Sequence, residues 1–253
     1  MASAKRKQVP RYDLKTRKAL LESTMLDDIH HYRVNRQTFS IYLGGDPNIQ
    51  SYADDENHQE PGVDYHMADR FDLNLSLLSD IDPDRPILVQ LASCGGNWTE
   101  GMQIFGAIVT CPNPVTVIAT KWARSMSSLI PLAADLFLLR PPARYMFHHG
   151  TVGYGGLSGE EFDTFAEEHD LSRKTMLDIY VTRLRSQGAY KNLSPEEIRE
   201  MLKDKMRRKV DVWLDANEAI RWGFADGLYT GDTASVRAPK VNRERREAML
   251  AVI

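Results

Sequence analysis

The chain has 253 residues, 42% of them hydrophobic and 26% charged, and its 32 Lys and Arg against 35 Asp and Glu leave a formal net charge of -3. This composition fits one large globular domain with extensions and a substantial core, and it gives no global electrostatic case for specific nucleic-acid binding. No apolar run is long enough to span a membrane, the charged N-terminus lacks the apolar segment of a secretory signal, and two cysteines, Cys94 and Cys111, make neither a disulfide framework nor a zinc site, so a reducing, cytoplasmic setting is expected.

Residues 1–18 are basic and polar and read as a solvated arm. Leu20 to Tyr32 suits a short helix. Thr38 to Leu43 alternates at period two and ends at Gly44-Gly45-Asp46-Pro47, which predicts a strand and a turn. Asn48 to Gly62 is polar and without period, and reads as a surface loop. Met67, Phe71, Leu75 and Leu78 then recur at helical spacing. A Pro- and Asp-rich break follows, and Ile87 to Ala92 is a short apolar strand of the buried, parallel-sheet kind.

The turn Ser93-Cys94-Gly95-Gly96-Asn97 opens a predicted helix from about Trp98 to Thr110, closed by Cys111-Pro112-Asn113-Pro114. Val115 to Ala119 is a second buried strand. It runs into Thr120 to Ser128, and the apolar stretch Leu129 to Leu139 reads as the helix beyond, with Pro131 falling inside it. Strand, glycine turn, helix, strand, serine turn, helix is the pattern of two successive βα units, which predicts a parallel sheet with right-handed crossovers. Tyr145 to His149 is strand-like and ends in two histidines. The glycine-rich stretch Gly150 to Gly159 lacks the lysine of a phosphate loop. A long helical pattern covers about Glu160 to Ser186, and Ser194-Pro195-Glu196-Glu197 opens another helix to about Met206. Val210 to Asp215 looks extended, Ala216 to Trp222 is a short helix closed by Gly223, Gly227 to Thr230 is a last short strand, and 234–253 reads as a basic tail.

In a parallel sheet the C-terminal strand ends share one edge, where ligands bind. Gly95-Gly96, Ser125 and His148 all fall at such ends. A serine needs a base within hydrogen-bond reach, a third group to hold that base, and backbone donors for the developing oxyanion. Alternatives stand beside each residue. Ser125 at a strand-to-helix junction also suits an N-cap. His149 lies beside His148 on the opposite face. Asp204, Asp211 and Asp215 each offer a carboxylate for the third position, and Asp215 also suits the cap of the helix after it. Cys94, at the glycine turn, offers a thiol but reads better as a small buried residue.

Five segments together resemble the proteolytic subunit of the Clp protease: Leu91 to Met102 with its glycine turn, Ala123-Arg124-Ser125-Met126-Ser127, Tyr145 to His149, Gly153-Tyr154-Gly155-Gly156, and Val210 to Asp226. They occur in order and at compatible spacing over roughly Phe39 to Thr230. The resemblance implies an α/β fold of spiralled βα units, shared with the crotonases, with a protruding handle helix at about 150–190 in a peptidase domain over 37–232. A basic arm with a short helix (1–36) would precede it and a basic tail (233–253) would follow. By position it implies Ser125 as nucleophile, His148 as general base and then acid, Asp211 as its orienting partner, and the backbone N–H groups of Gly96 and Met126 as oxyanion hole. It further implies hydrolysis of unfolded polypeptides or peptides within stacked homo-oligomeric rings, no metal or organic cofactor, and an AAA+ ATPase as a partner class. The N-terminus lacks the apolar axial loop that such docking uses.

The chain departs from the family pattern where Arg124 precedes the serine and Ser127 and Ser128 follow Met126, since small residues are usual there, and where Pro131 follows closely. Two other readings attach to this fold: an acyl-CoA enzyme that uses the same oxyanion donors with carboxylates, and an inactive ring or scaffold subunit.

Overall fold

The computed structural model describes residues 12–22, 26–44, 62–151, 155, 156, 158–232, 236–238 and 240–253. The first eleven residues of the basic arm, and 45–61 in the predicted turn and loop, lie outside them, as do 152–154 and 157 of the glycine-rich stretch. Where one short helix was expected near the N-terminus there are two, α1 (Leu14–Glu22) and α2 (Leu26–His30). Arg17 on α1 pairs with Asp82 at 2.7 Å, and Leu20 and Leu21 pack against the core, so this part of the arm is docked.

The strands β1 (Val34–Asn35) and β2 (Ser40–Gly44) form an antiparallel pair, and β2 then runs parallel to β3 (Ile87–Ser93). Between them α3 (Tyr65–Ile81) buries the predicted face of Met67, Phe71, Leu75 and Leu78, and Asp64 caps it by accepting the Met67 N–H at 2.9 Å. Each such fully buried side chain contributes about 1.5–3 kcal/mol of transfer free energy. Next come α4 (Trp98–Thr110) and β4 (Val115–Arg124), the ten-residue strand on which the site depends.

The stretch after β4 corrects the sequence reading. Instead of one helix over Leu129 to Leu139 there are α5 (Met126–Leu129), a 3₁₀ turn (Ile130–Ala133) and a strand, β5 (Leu136–Leu139). Pro131 opens the 3₁₀ turn, where its missing N–H is no loss. Asp135 then exchanges bonds with Val115, its side chain accepting the Val115 N–H at 2.7 Å and its own N–H meeting the Val115 carbonyl at 3.0 Å. That ties the chain beside β4, and apolar residues with no exposed face serve a central strand as well as a buried helix.

The remaining elements are β6 (Arg144–Phe147), α6 (Gly159–Ser186), α7 (Pro195–Lys209), β7 (Val212–Leu214), α8 (Ala216–Trp222), β8 (Gly227–Leu228) and α9 (Arg243–Leu250). The sheet runs β1-β2-β3-β4-β5-β8 and is parallel from β2 onward. β4 serves two partners in turn: Thr116–Ala119 pair with β5, and Trp122–Arg124 pair with β6, which also carries β7 antiparallel. This is the expected α/β class with a mostly parallel sheet. The second half of α6 is buried around Met176, Ile179, Tyr180 and Leu184, whereas Phe162 and Leu171 in its first half stand exposed.

The C-terminal residues expected to form a tail are instead part of the body. Arg246 on α9 is 4% exposed and bonds to Asp135 and to the carbonyls of Cys111 and Asn113, and Arg245 bonds to Asp226. Basic residues read as solvated when no partner is near in sequence. Here the partners are aspartates brought by the fold, 111 positions away for Arg246 and Asp135.

Candidate active site

Strand register assembles the site. β3 and β4 pair at Ser93 and Ala123, so two residues further on Gly95 lies against Ser125. A methyl group on Gly95 would sit 2.5 Å from Ser125 Cβ and 2.8 Å from the Arg124 carbonyl oxygen, and its φ is +104°, so glycine is required there on two counts. The β4–β6 ladder continues past Arg124 as the Ser125 N–H donates to the Met146 carbonyl at 3.0 Å. β6 and β7 pair at Phe147 and Val212, so the next facing positions are His148 and Asp211.

The side chains follow the register. Ser125 Oγ is 2.7 Å from His148 Nε2, and His148 Nδ1 is 3.0 Å from Asp211 Oδ1. Ser125 makes no cap bond to α5 through its side chain, so the hydroxyl is left for the imidazole. Its backbone, at φ 54° and ψ -126°, turns sharply between strand and helix, a strained conformation for a residue with a Cβ. The Asp211 side chain is 45% exposed, so the pair at His148 is partly wetted and its electrostatic strength is reduced accordingly.

The donors placed by sequence lie beside this chain of groups. Met126 is the first residue of α5, where a helix leaves its N–H unpaired within the helix. Gly96 pairs with Val63 in a parallel bridge, in which Val63 N–H bonds to Gly95 O and Asn97 N–H to Val63 O. That pattern turns the Gly96 N–H to the other side of the strip. A methyl group on Gly101 of α4 would overlap the Met126 side chain, so this glycine lets α5 settle against α4.

The competing residues are engaged elsewhere. Asp215 caps α8, accepting the Glu218 N–H at 2.8 Å while the Glu218 carboxylate accepts the Asp215 N–H at 3.0 Å. Asp204 pairs with Arg207 and Arg208 on its own helix. His149 turns away, its Nδ1 buried among the described residues without a partner, and burial, Arg173, His148 and Lys203 together hold its pKa below the ordinary histidine value. Cys94 is buried with its Sγ directed to the Gly95 carbonyl at 3.9 Å. Among the described residues no group of His, Cys, Asp and Glu could hold a metal ion.

The sequence alone gives no account of Arg124, Ser127 and Pro131; Pro131 opens the 3₁₀ turn, and the serines and Arg124 find partners in the fold. Arg124 Nε donates to the Cys94 carbonyl at 3.0 Å, and its guanidinium lies 5.6 Å from the Trp122 ring centroid. Ser128 Oγ donates to the Ser125 carbonyl at 2.6 Å and meets Tyr180 OH, on α6, at 2.6 Å, while Tyr145 OH donates to the Ser128 carbonyl at 2.9 Å. Both phenols are fully buried, and burial raises their pKa, keeping them protonated as donors. Ser127 Oγ bonds to Ser93 Oγ at 2.8 Å. The sequence signal was the run of hydroxyls itself, polar residues in a stretch otherwise patterned for burial.

A mostly parallel α/β sheet with a Ser-His-Asp chain at one strand-end edge has the layout of an α/β hydrolytic enzyme. The chain belongs to the Clp protease family, which matches residues 58–232, and this membership supports a peptidase role. Over 173 residues it is 30% identical to the ATP-dependent Clp protease proteolytic subunit 1 of Chlamydia caviae, covering 67% of this chain and 83% of that one. The proteolytic subunit of Deinococcus radiodurans is 28% identical over 167 residues, 65% of this chain and 74% of that one. Among solved structures, a point mutant of ClpP1 from Listeria monocytogenes superposes with a TM-score of 0.60 at 23% identity, covering 79% of this chain and 96% of the other, which shows a shared fold. No helix among the described residues is long and apolar enough to cross a membrane.

Proposed function

We propose that the chain is a serine endopeptidase in which Ser125, His148 and Asp211 act in sequence. The observation that carries this reading is the unbroken path from Ser125 Oγ through His148 to Asp211, at 2.7 and 3.0 Å. His148 in the Nδ1–H tautomer donates to Asp211 and accepts the Ser125 proton at Nε2. The serine oxygen attacks the scissile carbonyl carbon, and the oxyanion is taken by the N–H groups of Gly96 and Met126, a site worth about 3–4 kcal/mol per donor. The imidazolium returns the proton to the departing amine, and water repeats the cycle on the acyl-enzyme. The substrate is a polypeptide or peptide in extended form, added as a strand beside Gly95 to Asn97 on the side opposite Val63. The working form is a homo-oligomer of stacked rings, with the exposed first half of α6 as the contact between rings, which confines access to unfolded chains.

The test is labelling with a fluorophosphonate probe followed by mapping of the adduct. Attachment at Ser125, and loss of labelling and peptidase activity in a folded Ser125→Ala variant, is the expected result. An acyl-CoA hydratase on this fold would not be acylated there. A folded wild-type protein that neither labels nor cleaves any unstructured polypeptide overturns the proposal in favour of a scaffold subunit.

A further inference from the structure

The two halves of the proposed oxyanion hole come from different elements, Gly96 from the turn after β3 and Met126 from the start of α5. Donors must be held within a few tenths of an ångström of the developing charge to act. Ser127 and Ser93, both 0% exposed, join those two elements through one hydroxyl pair. Ser127 Oγ–H donates to Ser93 Oγ at 2.8 Å, and Ser93 Oγ in turn accepts the Gly95 N–H at 3.3 Å. The Gly95 carbonyl is fixed on its other side by the Val63 N–H at 2.5 Å. The peptide units on both sides of Gly95 are therefore held, and the Gly96 N–H is turned away from Val63.

We propose that Ser127 and Ser93 are positioning residues that lock the glycine turn to the nucleophile turn, and so hold the Gly96 and Met126 N–H groups in register. Neither side chain touches the reacting atoms. The pair sits one residue behind Met126 and two before Gly95, and because both hydroxyls are fully buried, removing either one breaks the tie between the two turns. This also accounts for a serine at position 127, where the resemblance leads one to expect a smaller residue. The inference rests on the serine-peptidase reading.

The experiment is a double-mutant cycle with Ser93→Ala, Ser127→Ala and the double variant. Hydrolysis of an internally quenched peptide cleaved by wild type gives kcat and KM, and fluorophosphonate labelling counts the competent sites. Losing one buried hydrogen bond behind a transition-state donor corresponds to a fall in kcat of about 5–10-fold for Ser127→Ala. Ser93→Ala, which also frees the Gly95 N–H, should fall further. KM should stay within about twofold, because the donors act on the transition state more than on bound substrate. The double variant should match Ser93→Ala alone, since both changes break the same link. Unchanged kcat in the folded single variants, or effects that multiply in the double, overturns the proposal. If Ser127→Ala does not fold, Ser93→Ala carries the same test from the other end of the bond. Wild type that neither hydrolyses nor labels would instead sink the peptidase reading itself.

Discussion

Two aspartates each hold one basic side chain, and they do so in opposite ways. Among the described residues Asp211 makes one side-chain hydrogen bond, at 3.0 Å to His148, and its side chain is 45% exposed. Asp135 is 1% exposed at its side chain and is saturated: it accepts the Val115 N–H at 2.7 Å, the Asn242 N–H at 2.6 Å, Arg246 Nε at 3.0 Å and a second Arg246 nitrogen. On the proposed mechanism Asp211 has only to orient His148 and face its transient cation, and one hydrogen bond from a partly exposed carboxylate is enough for that. A permanent ion pair is worth burying only when every lone pair and N–H is met, because the desolvation cost otherwise exceeds the attraction. On the proposed reading the wet pair serves chemistry, whereas the dry one serves architecture.

The largest effect should come from breaking the wet pair. Asp211→Asn should lower kcat about 10⁴-fold, because the amide stabilises the wrong tautomer and cannot balance the imidazolium. The thermal midpoint should barely move, since an exposed pair contributes little to stability. A kcat near wild type in steady-state assays would remove Asp211 from the mechanism. The dry pair should show the converse. Arg246→Ala leaves Asp135 buried without its main partner and should cost roughly 3–5 kcal/mol, read as a fall in the denaturation midpoint, with labelling of Ser125 per folded molecule unchanged.

Acid weakens the fold through two groups. Burial alone would raise the pKa of Asp226, but Arg183 and Arg245 outweigh it and hold the carboxyl below its ordinary value. A folded-state pKa below the unfolded one means that this stability is present above the unfolded value and is lost as pH falls through the folded one. His149, depressed first by burial and then by neighbouring cations, also favours the fold while neutral, and that part is lost as pH falls from the ordinary histidine value through the lower folded one. A denaturation midpoint that stays constant as pH falls from neutral into the carboxylate range would contradict both contributions.

What the sequence reveals divides along the same line. Ser125 and His148 stand out at the ends of short apolar runs, Asp211 only through the family resemblance, and the register of β3, β4, β6 and β7 brings the three together. The helices with caps are legible to within a residue or a few, as with Ser194 and Asp215, because a capping box is written in four adjacent positions. The dry pairs are not legible. Arg246 and Asp135 lie 111 positions apart, and Arg183 and Asp226 lie 43 apart, and neither periodicity nor composition links them. β5 was hidden for a different reason: a strand buried on both faces has no alternation to show, and Pro131 with Asp135 marks its start only once the partner Val115 is known. The link between Ser127 and Ser93 belongs to the same hidden class, local chemistry whose meaning depends on two strands meeting.

The smallest effect tests whether the wet pair has been assigned to the right carboxylate. Asp215 lies four residues after Asp211 and was its rival in the sequence. It forms a capping box with Glu218 at the start of α8, with bonds of 2.8 and 3.0 Å. A cap of this kind is worth about 1 kcal/mol, so Asp215→Ala should lower stability by about that much, a few degrees in midpoint. Activity per folded molecule should stay within about twofold, because α8 is also anchored by Trp222 and by the Gly223 N–H to the carbonyls of Ala219 and Ile220. If activity instead collapses while the fold survives, Asp215 and not Asp211 would be the group that orients His148. The strand register would then have to slip to bring it there. That slip is four residues long, so it would pair β6 with Ala216 to Glu218 of α8 and carry Val212 and Leu214, which are each 3% exposed, past the end of β6. The burial of those two residues is what fixes Asp211 across from His148.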